Sequence, residues 1–164
     1  GFVSARNNLA IAYGELGELE AAERQAHRAL EEKPDYLDAM LTLASLLHRS
    51  GRADEEDATL ERALRLAPER PDIQVRLVVA AAAAGDCDRA VELALRLQDR
   101  GEWLTPAAHL ATGECLEQRG EVRRALIQLE EAARRSAPGP VRQRARAAVD
   151  RLSRRLGEGG AGGD

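Results

Sequence analysis

Residues 17–34 read GELEAAERQAHRALEEKP, and residues 51–68 read GRADEEDATLERALRLAP. The two stretches align without a gap at a separation of 34 residues, each opening on glycine and closing on proline. GDCDRAVELALRLQDRG begins another 34 residues on at Gly85, and GEVRRALIQLEEAARRSAP begins after a 35-residue step at Gly120. A fixed period of this size marks a chain built from one repeated supersecondary unit, here in four copies.

Each copy reads as two helices. An apolar-periodic segment precedes every one of the four glycines: SARNNLAIAYGEL, YLDAMLTLASLLHRS, DIQVRLVVAAAAA and PAAHLATGECLEQR. A second amphipathic segment follows each glycine. Gly17, Gly51, Gly85 and Gly120 therefore end the first helix of each pair in the left-handed conformation that glycine adopts at low cost. Pro34 and Pro68 close second helices. Helices of about 14 residues are marginal alone, so they are expected to stack on their neighbours as solenoid repeats do.

Composition agrees with packed helices. The 164 residues are 44% hydrophobic and only 2% aromatic, with charged residues at 32%. Sheet proteins draw on the aromatic and β-branched residues that are scarce here. The net charge of −4 gives no general attraction to nucleic acid. It is unevenly spread: 13 basic and 20 acidic residues up to Glu102 give −7, whereas 11 basic and 8 acidic residues beyond it give +3.

The repeats resemble the tetratricopeptide repeat (TPR) family. Repeat 1 matches its pattern at Leu9, Ala10, Tyr13, Ala22, Ala29 and Pro34, and repeat 2 at Met40, Leu43, Ala44, Leu47, Leu60, Ala63 and Pro68, with Glu56 in place of an expected alanine. Repeat 3 keeps Leu77, Ala81 and Ala90 but departs at Val78, Leu97 and Glu102. Repeat 4 returns with Gly113, Leu116, Ala125, Leu129 and Ala132. The resemblance implies an all-α, right-handed α-solenoid of four helix-turn-helix repeats (about 3–36, 37–70, 71–105 and 106–138). Residues 139–157 are expected to form a C-terminal capping helix, and the Gly-rich residues 158–164 a flexible tail.

In that family the first helices line a concave groove that binds peptides or amphipathic helices. Carried onto this chain, the resemblance implies groove residues Asn7, Ile11, Leu41, Ser45, His48, Val75, Arg76, Val79, Ala82, Leu110 and Glu114. Ile11, Leu41, Val75, Val79 and Leu110 would form an apolar centre inside a polar rim, which suits an apolar helix or peptide. The run RLVVAAAAAG at residues 76–85 would place part of its all-round apolar surface there. A second protomer filling the groove is the other occupant considered. The family's grip on a terminal carboxylate is not expected, because of its basic and amide positions only Arg76 is matched among Asn7, Ile11, Thr42, Asp72 and Arg76.

The functional expectation is a non-catalytic interaction scaffold or adaptor with a protein or peptide partner. The alternative is a substrate-recognition arm cut from a larger enzyme such as a transferase or hydroxylase. No catalytic residue, metal site or cofactor is expected. His27, His48 and His109 lack ligand spacing, the DEED run at residues 54–57 lacks calcium-loop spacing, and there is no nucleophile motif or phosphate loop.

The arginines of residues 139–157 lack interleaved aromatics, so they point to a cap more than to nucleic acid or a membrane. Cys87 and Cys115, 28 residues apart, are read as buried reduced thiols. No apolar run is long enough for a membrane span. The initial glycine fits a fragment or processed chain from which targeting information could have been cut, and the cytoplasm is the favoured compartment.

Overall fold

A computed structural model describes residues 2–160 of the chain, and over these it contains helices and no strands. The chain divides into two compact units, Gly1–Ile73 and Gln74–Asp164. Unit 1 holds α1 (Phe2–Glu15), α2 (Leu19–Glu32), α3 (Leu37–Arg49) and α4 (Ala53–Leu66). Helix α5 (Pro71–Ala83) starts at the boundary and runs on into unit 2. It is followed there by α6 (Cys87–Asp99), α7 (Pro106–Gln118), α8 (Val122–Arg135) and α9 (Pro140–Gly160).

Helix pairing follows the period. In unit 1, α1 packs on α2 and α3 on α4, and the pairs join through α2 and α1 against α3. In unit 2, α7 packs on α6 and α8, while α9 packs on both α8 and α7. The glycines expected to end first helices all have positive φ: 82° at Gly17, 70° at Gly51, 86° at Gly85 and 77° at Gly120. At each, the chain reverses within a few residues, and a Cβ would be strained by the backbone conformation.

Small residues set the spacing inside each pair. Ala22, Glu56, Ala90 and Ala125 occupy one equivalent position of the second helices, and Ala29, Ala63, Leu97 and Ala132 another; all eight are buried. The alanines let helix backbones approach closely, and leucines such as Leu60, Leu116 and Leu129 fill the remaining space. In unit 2, Val75 and Val78 of α5 pack with Ala94 and Leu97 of α6, Leu104, and Ala108 of α7. A second cluster joins Leu110, Leu116, Ala125, Leu129, Ala145, Ala148 and Leu152 across α7, α8 and α9.

Helix α9 lies against α7 and α8. Ala145, Ala148 and Leu152 are its buried face. Two of its arginines reach back to α7: Arg144 Nη2 donates to Glu114 Oε1 at 2.8 Å, and Arg151 Nη2 donates to Glu117 Oε2 at 2.7 Å. The helix continues to Gly160, past the end expected at Gly157, and the remainder of the expected tail, residues 161–164, lies outside the described residues.

The cysteine expectation is corrected by the structure. Cys87 and Cys115 are joined in a disulfide, with their Cα atoms 5.0 Å apart. Cys87 begins α6 and Cys115 lies in α7, and the packing of these two helices brings together residues that the sequence separates by 28 positions.

Candidate functional site

In unit 1 the candidate face is carried by α1 and α3. Ile11 is 43% exposed on α1, on the side of the helix away from Leu9. On α3, Leu41 is half-buried, while Ser45 and His48 are exposed. Ser45 Oγ donates to Leu41 O at 2.9 Å, so this hydroxyl is held back along its own helix. Asn7, expected in the same group, is only 5% exposed and joins Ala10 and Gly14 on the buried face of α1.

His48 has a structural partner that sequence reading missed. Its Nδ1 lies 2.9 Å from Oε2 of Glu56, whose side chain is 4% exposed. Glu56 stands where the repeat pattern calls for alanine, and a carboxylate taken out of water needs a partner to hold it there. The first helix of the repeat supplies that partner through His48, whose ring is otherwise open to solvent. A histidine at the end of one helix with glutamate eight residues on, at the pattern's alanine position, is the signal that could have revealed the pair.

In unit 2 the candidate face is carried by α5 and α7. Val79 and Ala82 are half-buried on α5, as is Arg76. Val75 and Leu110 are 6% and 4% exposed, packed into the two core clusters of the unit. Glu114 is half-buried and held by Arg144 of α9. The accessible apolar side chains among the expected residues are therefore Ile11 and Leu41 in unit 1, and Val79 and Ala82 in unit 2.

A separate polar cluster lies behind α7. His109 is 5% exposed, and its Nδ1 lies 2.8 Å from Gln128 Oε1. An amide oxygen only accepts, so in the neutral ring the proton sits on Nδ1. Gln128 also exchanges hydrogen bonds with Gln98, at 3.3 and 3.4 Å. Burial pushes the His109 imidazole below its ordinary range, with the Gln128 hydrogen bond acting in the opposite direction.

Unfolding returns this ring to an ordinary pKa near 6.5, so the unfolded chain binds the extra proton first as pH falls. The stability contributed by neutral His109 is complete above that value and is lost as pH drops through the lowered folded value. Thermal melts from pH 7.5 to 5 are expected to show a decline that His109→Gln reduces, and equal slopes for the two proteins would contradict this.

Beside His109 a pocket of ≈ 200 Å³ is lined by Gln98, Gly101, Glu102, Trp103, Leu104 and Arg135. Trp103, 75% exposed, carries the Arg135 guanidinium over its ring at 4.7 Å from the centroid. Arg134 and Arg135 both bond Glu131 and hold its carboxyl down to about 2. The guanidinium is thus already balanced by a carboxylate and an aromatic face. Among the described residues, no group of three or more His, Cys, Asp or Glu side chains could hold a metal ion. No described helix is long and apolar enough to cross a membrane.

Comparison with known proteins follows the period. The family model described as "Tetratricopeptide repeat" matches residues 7–71, 58–102 and 75–140. No curated protein sequence matches the chain. Among solved structures, MamA AMB-1 superposes with a TM-score of 0.72 at 17% identity, covering 93% of this chain and 88% of that one. A thermophilic TPR protein of Thermus thermophilus gives 0.63 at 23% identity, covering 90% and 81%. PilW, a widely conserved type IV pilus biogenesis factor, gives 0.67 at 17% identity, covering 80% of this chain and 61% of that one. At these identities the likeness is one of fold.

Proposed function

Because the chain belongs to the tetratricopeptide repeat family, with matches running from residue 7 to residue 140, we propose that it is a protein-interaction scaffold whose first-helix faces receive a peptide or an amphipathic helix. The observation that carries this reading is the mixed surface of those helices. In unit 1, Ile11 and Leu41 offer apolar area beside the exposed polar side chains of Ser45 and His48. In unit 2, Val79 and Ala82 offer a smaller apolar area beside Arg76.

Small apolar patches with polar neighbours suit helix or strand ligands whose anchors are spaced along one face. Affinity then comes from a few buried anchors, with the polar rim excluding water. The accessible apolar residues of these faces are aliphatic, which suits a protein ligand better than the bases of a single-stranded nucleic acid, whose binding draws on aromatic stacking.

Val79→Glu is the discriminating variant. It places a carboxylate in the centre of the α5 face, where a bound apolar anchor would desolvate it. Affinity capture is expected to lose the partner while circular dichroism keeps the wild-type helicity. Retained capture by a folded Val79→Glu protein would remove α5 from the binding surface.

A further inference from the structure

The connection between α6 and α7 is where the repeat departs most from its pattern. It runs over residues 100–105, six residues against four in each of 33–36, 67–70 and 136–139, and Glu102 stands where proline is expected. Gly101 has a φ of 76°, so α6 ends in the kind of reversal that closes a first helix. Gly101 N donates to Gln98 O and Glu102 N to Leu97 O, both at 2.9 Å. Leu104 is then buried against Val75, Leu97 and Ala108, and Thr105 Oγ1 accepts from Ala108 N at 3.2 Å to start α7. Trp103 sits between these fixed points, so its exposed indole is held in place from both sides.

The indole and the Arg135 guanidinium stacked on it wall the ≈ 200 Å³ pocket, and His109 lines it from α7. His109 is 5% exposed, and Gln128 takes its Nδ1. With the proton on Nδ1, Nε2 is a lone-pair acceptor, and among the described residues it has no partner. A largely buried ring with an open acceptor favours a ligand that brings a donor.

The surrounding charges select against ions. Glu131 and the indole face already offset Arg135. Glu102 on the rim repels anions, and Arg135 repels a second cation. The volume lies below the roughly 300–1,000 Å³ of sites for drug-sized molecules, so the pocket suits a single neutral side chain.

We propose that this pocket is a second recognition site, independent of the first-helix faces, and that its occupant is the tyrosine side chain of a partner segment. A phenol has the flat apolar body that Trp103 and Leu104 cover, and a buried tyrosine hydroxyl needs a hydrogen-bond partner, which His109 Nε2 supplies. Serine and threonine carry the donor without the ring. Phenylalanine carries the ring without the donor and leaves Nε2 unpaired.

Trp103 is the chain's one tryptophan, so its indole N–H gives a single NMR signal that reports on this pocket. The probes are N-acetyltyrosinamide, N-acetylphenylalaninamide and p-cresol, a free phenol. The tyrosine amide is expected to move the Trp103 signal with a Kd of about 1 mM, in the weak range of one small group. The phenylalanine amide is expected to bind about tenfold more weakly for want of the hydrogen bond. This pair tests the His109 nitrogen without altering a buried residue. Trp103→Ala is expected to abolish binding in ligand-detected NMR, and Trp103→Phe to restore most of it; circular dichroism checks that both keep wild-type helicity. Val79→Glu is expected to bind the tyrosine amide as the wild type does, so the two sites are tested separately. A Trp103 signal unmoved at concentrations well above that Kd overturns the proposal. Equal affinity for the two amides, or binding that survives Trp103→Ala, overturns it as well. Binding of p-cresol with exclusion of the tyrosine amide overturns the protein source and assigns the pocket to a free phenol.

Discussion

Reducing the Cys87–Cys115 disulfide is expected to lower the stability of unit 2 by about 2–4 kcal/mol. The bond spans 28 residues, from the start of α6 to the C-terminal part of α7. In the unfolded chain it restricts the separation of two helices that must otherwise find one another. In the folded chain the helices already pack through Ala94, Leu97 and Ala108, so reduction should leave the native structure in place and act mainly on the unfolded ensemble. Thermal melts with and without reductant read this directly, and Cys87→Ala should reproduce the reduced protein. Identical melting temperatures in both conditions would contradict it. Disulfides persist where the compartment is oxidising, so the full stability is expected only there.

Gly113→Ala is expected to destabilise the protein by about 1–3 kcal/mol, against the usual gain from placing alanine in a helix. A Cβ on Gly113 would lie 2.7 Å from Leu129 Cγ, 2.9 Å from Leu129 Cδ2 and 3.3 Å from the backbone oxygen of Ala125. Leu129 is fully buried in the α7–α8–α9 core, and the clash reaches its Cγ, close to the backbone, rather than only a flexible end. Another helical glycine, Gly14 of α1, has a looser neighbour: a Cβ there would lie 3.1 Å from the end of the Leu46 side chain of α3. Gly14→Ala should therefore cost less. Urea unfolding of the pair gives the comparison, and a Gly113→Ala protein as stable as the wild type would show that α8 can retreat from α7.

The repeat period was legible because it rests on residues that have few substitutes. Gly17, Gly51, Gly85 and Gly120 are needed for their positive φ, and Ala22, Ala29, Ala63, Ala90, Ala125 and Ala132 for close helix approach. The individual faces were harder to read. A family pattern assigns Asn7, Val75 and Leu110 to one side of a first helix, yet local packing decides how far each is covered, and here all three are buried.

The pairings were least legible. Cys87 and Cys115 have no motif spacing, and only the docking of α6 on α7 brings them together. Glu56 looked like a departure from the alanine pattern, and its compensation by His48 spans the turn between two helices. Trp103 and Arg135 meet in the same way, from the α6–α7 connection and the end of α8. Each of these depends on a distance between elements, which a linear pattern does not contain.

The central claim, that partners bind the first-helix faces, is tested most directly by site-specific photo-cross-linking within unit 1. A photoreactive residue is placed at Leu41, half-buried on first helix α3, or at Leu66, 48% exposed at the end of second helix α4. The account predicts that a captured partner cross-links from Leu41 and not from Leu66. Cross-linking from Leu66 alone would contradict it and move the binding surface to the second helices.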